Sequence, residues 1–223
     1  MDNKGGRSKE RRERERADMR SAIVDVAYSL VQDGGVEAVS IREIARRIEY
    51  SIRTIYLYFR DKEAILDAVR ERGFGELADY LARAAKADYA ETAARVPAMR
   101  LRRLGHAYLD FAQERARLFS VMYFREPPIV RRSFAACADS ETEAAPAPCE
   151  AAEMSPAFSI LRSAVADYLG ASAASPERVR SVAFALWGLV HGLATLALFA
   201  QDKEFRGVDI AVELDRALAT LMP

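Results

Sequence analysis

Several residue types that carry chemistry are scarce in this chain of 223 residues. Its two cysteines, Cys137 and Cys149, fall in one acidic stretch rich in alanine and proline. That excludes a disulfide framework and fits a reducing compartment. Its two histidines, His106 and His191, are too few for most metal sites, and no Cys/His ligand spacing accompanies them. No glycine-rich phosphate loop and no Ser/His/Asp set stands out, so no metal, no cofactor and no catalytic residue is expected. No uncharged apolar run approaches the roughly 20 residues of a membrane span; the richest, residues 182–200, is interrupted by Gly188, His191 and Gly192. The N-terminus is charged and lacks an apolar signal core. A cytoplasmic protein without a membrane partner is the expectation.

What is present is apolar and helical. Half the residues are hydrophobic, enough for a sizeable core in one or two domains. No period-2 alternation is long enough for a strand, and no turn dipeptide is flanked by β-branched runs. The formal net charge of zero conceals an asymmetry. Residues 1–62 hold 14 Lys and Arg against 11 Asp and Glu, leaving 19 against 22 for the rest. Arg7, Lys9, Arg11, Arg12, Arg14 and Arg16 supply much of the basic side, interleaved with Glu10, Glu13 and Glu15. Such a segment attracts phosphate or is simply a solvated arm; residues 1–18 are expected to be disordered.

Residues 40–63 are the most informative stretch. Ser40 and Glu43 have capping-box spacing, and Ile41, Ile44, Ala45 and Ile48 recur at helical spacing with Arg42, Arg46 and Arg47 on the polar side. Glu49-Tyr50 makes a turn, and Ser51 opens a second helix over 52–59. Ile55 and Phe59 then face inward, while Arg53, Thr54, Tyr56 and Leu57 point outward. Asp61 caps a third start, with Lys62 and Glu63 in its first turn. Upstream, Ala22, Ile23, Val26, Ala27, Leu30 and Val31 form a stripe that stops at Gly34-Gly35. Two short helices across a tight turn, backed by a longer one, are what a helix-turn-helix needs to enter a major groove.

These residues resemble the DNA-binding domain of the TetR/AcrR family of bacterial regulators. The resemblance spans about residues 19–66 and is carried by Ala27, Leu30, Gly35, Ala38, Ser40, Ile44, Ala45, Ser51, Thr54, Ile55, Tyr56, Tyr58, Phe59, Lys62 and Glu63. It implies that Arg42, Ile52 and Arg53 face base edges, and that Ser40, Thr54, Tyr56 and Lys62 contact phosphates. The turn departs: the family usually has Gly where this chain has Glu49, and a small apolar residue next, where it has Tyr50. A non-Gly residue at positive φ costs on the order of 1 kcal/mol, so either the turn is built differently or the strain is tolerated.

Beyond residue 66 the chain reads as all-α, and the resemblance implies an effector-binding and dimerisation domain over residues 67–223. One helix runs to about Lys86 through Phe74, Leu77 and Leu81. Pro97 opens another with Leu101, Leu104, Tyr108 and Phe111 in register, and a further piece covers 116–124. Residues 133–153 carry five acidic and no basic side chains and two prolines, the composition of a mobile loop. Ser155-Pro156 and Ser175-Pro176 open two more helices, and Val208 to Leu221 is the last.

The run Leu186-Trp187-Gly188-Leu189-Val190-His191-Gly192-Leu193 resembles the C-terminal regulatory domain of a TetR subgroup named for Trp-His-Gly. Its helix is apolar nearly all round, and Gly188 and Gly192 allow a second helix close. A dimer seam of Val190, Leu193, Ala197, Leu214 and Leu218 is therefore expected, against the plainer reading of a core helix in a monomer. Candidates for an effector pocket are Phe74, Tyr108, Phe111, Tyr123, Phe158, Trp187 and His191, although His191 fits a satisfied core or interface histidine better than a ligand. The partners implied are double-stranded, palindromic operator DNA, a small-molecule effector and a second copy of the chain. The function expected is a repressor released from DNA by an apolar effector. The alternatives are an effector-independent helix-turn-helix regulator and a helical small-molecule carrier without specific DNA binding.

Overall fold

The computed structural model describes residues 3–86, 96–124, 155–199 and 207–222. Cys137, Cys149 and the expected loop 133–153 lie outside them. Every regular element described is helical. The helices are α1 (Asn3–Gly34), α2 (Ile41–Arg47), α3 (Ile52–Tyr56), α4 (Lys62–Ala85), α5 (Val96–Glu114), α6 (Ala116–Tyr123), α7 (Pro156–Leu169), α8 (Pro176–Phe199) and α9 (Ile210–Leu221). They form two compact units: residues 1–73 with 117–123, and residues 74–116 with 124–223. The first unit therefore ends at Gly73 rather than near residue 66, and it takes back most of α6.

In the first unit Ile23, Ala27 and Val31 of α1 are fully buried with Ile44, Ile55, Ile65, Leu66 and Val69. Leu118, Phe119 and Met122 of α6 complete this core. Arg117 pins α6 to the end of α1 by donating to the carbonyls of Gln32 and Asp33 at 2.7 and 2.6 Å. Gly35, at φ 73, ends α1 by adopting a left-handed conformation open to glycine. Where a disordered arm was expected, α1 runs back to Asn3. The physical reason is that extending an existing helix avoids the nucleation cost. Lys9–Glu13 and Arg11–Glu15 pairs one turn apart add support at 3.9 and 3.5 Å.

The second unit is a helical bundle in which α8 packs on both α7 and α5, and α9 packs on α5 and α8. Ala183, Leu186, Val190 and Ala194 are the buried side of α8. By length and composition, residues Pro176–Leu198 are apolar enough to cross a membrane, contrary to the sequence expectation. That buried side nevertheless belongs to the bundle core, while Phe184 on the outer side is 71% exposed. Asp215 holds α9 to α5: Arg102 donates to it at 2.6 Å and His106 Nε2 lies 2.8 Å away. The Arg102 guanidinium first, and His106 second, keep the Asp215 carboxyl below its usual range.

Candidate nucleic-acid interface and ligand cavity

The helix-turn-helix is built by its caps. Ser40 Oγ accepts from Glu43 N at 3.1 Å, and Ser51 Oγ accepts from Thr54 N at 3.1 Å. Asp61 Oδ1 accepts from Ala64 N at 2.7 Å at the start of α4. Only half of the expected capping box forms as drawn, because the Glu43 carboxylate turns forward to Arg46 (2.7 Å) and Arg47 (3.0 Å). Hydrogen bonds from Arg46 and then Arg47 pull the Glu43 pKa down to about 2. Two of the three cations of α2 are thereby occupied. Arg42 is the third; it is exposed and makes no ion pair among the described residues.

The turn between α2 and α3 settles the question posed by Glu49. Tyr50 N donates to Ala45 O at 2.9 Å and Glu49 N to Arg46 O at 3.4 Å, the paired bonds of a Schellman motif. Glu49 occupies the left-handed position at φ 60, among the described residues the one non-glycine residue that does. The strain is tolerated, not avoided. Glu49→Gly is therefore expected to raise the melting temperature by about 2–4 °C, the shift that about 1 kcal/mol produces in a chain this size. It should also tighten operator binding by removing a carboxylate beside the recognition helix. A lower melting temperature would show that Glu49 makes a compensating contact.

α3 spans Ile52–Tyr56, one turn shorter than expected, and its chain continues in tight turns through Phe59. Ile55 is fully buried and Phe59 nearly so, as the inward face requires. Ile52, Arg53, Tyr56 and Leu57 stand outward and exposed. Thr54 is half-buried, with its hydroxyl 2.9 Å from that of Ser51. Lys62 is half-buried too and donates to the Val36 carbonyl at 3.1 Å, a staple that still leaves two ammonium protons. Arg20 donates to the Tyr58 carbonyl at 2.9 Å and lies over the Phe59 ring at 4.0 Å, anchoring the end of this element to α1. Sequence reasoning missed Arg20, whose partner is 38 residues away.

The second unit contains a narrow apolar cavity of about 30 Å³. Its walls are Leu81 of α4, Leu101, Leu104, Gly105 and Tyr108 of α5, Leu161 of α7, Leu186, Trp187 and Val190 of α8, and Leu214 and Leu218 of α9. Of the expected pocket residues, Tyr108 and Trp187 line it. Their rings meet edge-on at 5.2 Å, and Phe158 meets Trp187 at 5.7 Å. Tyr108 Oη lies 2.8 Å from His191 Nδ1. Burial pushes the His191 pKa down, which favours the neutral ring at this contact. Phe74 and Phe111 are not among the lining residues; Phe111 packs against Tyr80 in the core. Tyr123 is a correction: it belongs to the first unit, against Phe119 at 4.7 Å, because α6 returns there.

The expected dimer seam also divides. Val190, Leu214 and Leu218 are buried inside one chain and line the cavity, so they cannot present a seam. The cause is helical phase: Leu214 approaches Gly105 of α5, where a Cβ would meet its methyl at 2.9 Å. Leu193 is half-buried and Ala197 exposed, the latter on the rim of a more polar groove of about 530 Å³ with His106, Asp110 and Gln113. The outer face of α8 is instead Phe184, Gly188 and Gly192, with open space around both glycines.

An exposed face of Ile52, Arg53, Tyr56 and Leu57 on a capped helix, set in a helical unit and followed by a separate helical bundle with an apolar cavity, defines a helix-turn-helix regulator with its own regulatory domain. Residues 23–69 match the model for bacterial regulatory proteins of the tetR family, and residues 101–221 match the tetracyclin repressor-like C-terminal domain. The chain belongs to the TetR family, whose members are transcriptional regulators rather than enzymes, with a DNA-binding N-terminal and a ligand-binding C-terminal domain. The Trp-His-Gly resemblance rests on residues 186–193 alone. Among solved structures, a protein of unknown function from a Rhodococcus species matches with a TM-score of 0.65 at 23% identity, over 92% of this chain and 93% of that one. FadR from Bacillus subtilis in complex with stearoyl-CoA matches at 0.59 and 16%, over 91% and 97%. A TetR variant from Acinetobacter baumannii in complex with minocycline matches at 0.54 and 16%, over 90% and 96%. At these identities the likeness is one of fold. No curated protein gives a significant sequence match.

Proposed function

We propose that this chain is a cytoplasmic repressor that holds a palindromic operator as a homodimer and is released by a small, largely apolar effector. The outward face of α3 carries the reading: Ile52, Arg53, Tyr56 and Leu57 are exposed over a fully buried Ile55. An exposed apolar face on a DNA-binding unit suits thymine methyl groups, and a free guanidinium suits guanine O6 and N7. Arg42, Ile52 and Arg53 read bases; Ser40, Thr54, Tyr56 and Lys62 hold phosphates, Ser40 and Lys62 at helix N-termini. The effector class follows from the leucine-walled cavity with Tyr108 and Trp187 at one side. The relatives named above have minocycline and stearoyl-CoA bound, ligands with large apolar frames, which supports the same class here.

Binding to a pool of random duplexes tests the DNA assignment. Arg42→Ala is expected to cost about 1–3 kcal/mol of discrimination and to relax preference at one position. Lys62→Ala should weaken all duplexes about equally, and it should also lose the staple to Val36, worth about 1 kcal/mol of stability. The reverse pattern would overturn the assignment. A protein that selects no sequence at all would favour the helical carrier.

A further inference from the structure

We infer that the N-terminal turns of α1 form a second, sequence-independent DNA contact, in which Arg12 and Arg16 bind backbone phosphates beside the groove entered by α3. The inference rests on the DNA-reading assignment and extends it to a surface outside the helix-turn-helix. Lys9, Arg12, Arg16 and Arg20 recur at helical spacing and continue into Ile23 and Ala27. Those two residues are fully buried, so the basic stripe lies on the side of α1 that faces the helix-turn-helix. Its lower end is fixed there, because Arg20 donates to the Tyr58 carbonyl just beyond α3. At 1.5 Å per residue, Arg16 and Arg12 stand about 6 and 12 Å further along the axis.

Both side chains are exposed, and neither makes an ion pair among the described residues. Glu13 shares the stripe but is already matched by Lys9, and Arg11, on the opposite side, by Glu15. What remains is uncompensated positive charge on a rigid rod, continuous with the end of the reading element. Backbone phosphate is the partner that fits, since guanidinium groups bind it directly and release counterions. Helical order adds to this. A disordered arm would lose conformational freedom on binding, whereas residues of a formed helix are already placed.

The test is the salt dependence of affinity, measured with the full chain on a duplex that it selects from a random pool. Each phosphate contact contributes about 0.9 to the slope of log affinity against log salt. Arg12→Ala with Arg16→Ala should therefore lower the slope by about 2, weaken selected and unrelated duplexes in the same proportion, and leave the selected sequence unchanged. Arg12→Lys with Arg16→Lys should restore the slope, and Arg14→Ala, off the stripe, should not alter it. A double alanine variant with the parent slope, or an equal loss from Arg14→Ala alone, overturns the proposal while the reading of bases by α3 stands. If the parent chain selects no sequence, the reading assignment fails and this contact fails with it.

Discussion

Gly192→Arg is expected to turn the dimer into a monomer while leaving the fold of each chain intact. A Cβ at Gly192 meets nothing within 4 Å in its own chain, and the same holds at Gly188. Replacing glycine inside a helix also favours the helix, by roughly 0.5–1 kcal/mol for alanine. Within one chain the substitution is therefore harmless. Across a seam it is not, because a close helix approach would trap an unpaired guanidinium at a cost of about 3–5 kcal/mol. Each 1.4 kcal/mol is a factor of ten, so dimer affinity should fall by roughly 100- to 1000-fold or more. Sedimentation at micromolar concentration would show monomer with an unchanged circular-dichroism spectrum, and a melting temperature that no longer depends on protein concentration.

The reason to expect a seam there is the mismatch on α8. One side is in the bundle core, yet Phe184 on the other is 71% exposed, with Val212 and Leu221 of α9 at 41% and 61%. An apolar face of this kind on a protein whose family acts in pairs is best covered by its own copy. Operator binding should fall with dimerisation, since two α3 helices must reach half-sites about 34–36 Å apart. Ala197→Arg is a useful second probe, because Ala197 is exposed but sits on the polar groove, away from the glycine face. A dimer that survives Gly192→Arg and dissociates with Ala197→Arg would move the seam to that groove.

The DNA-binding unit was legible in the sequence because its determinants are local. Ser40, Ser51 and Asp61 each cap the helix that follows within three residues, and the stripes of α1 and α2 need only their own period. Even the anomaly at Glu49 was visible, since a left-handed turn position demands glycine and glycine is missing. The regulatory unit was less legible for a physical reason. A helix that is apolar nearly all round has no phase that sequence can assign, so Val190 was placed outward when it faces the cavity. Leu214 and Leu218 differ: α9 is amphipathic, with Glu213, Asp215 and Arg216 on its polar side, and its apolar stripe packs on α5 of the same chain instead of a partner. Tyr123 was misplaced because nothing local announces that α6 returns to the first unit. Arg117, bonding carbonyls more than 80 residues back, is the contact that decides it.

A compound that raises the melting temperature of the full chain is expected to weaken its operator affinity by roughly 5- to 150-fold, the usual range of coupling between two sites. The size of the cavity is the reason to expect coupling at all. At about 30 Å³ it holds little more than water, whereas pockets for small organic ligands occupy roughly 300–1000 Å³. An effector that uses this cavity must therefore bind a state in which the leucine walls have parted. A ligand that selects one arrangement so strongly shifts the equilibrium by its full differential affinity. One of those walls is Leu81, on α4, the helix whose first residue is Lys62. Leu81 lies on the same helix whose start Asp61 caps and Lys62 staples to Val36. Leu81→Ala should accordingly lower the coupling more than it lowers affinity for the compound, although loss of a nearly fully buried leucine will cost about 2–5 kcal/mol of stability. Leu81→Met, close in volume, should keep the coupling and control for that loss. If compounds bind tightly and operator affinity does not change, the cavity serves carriage and not release.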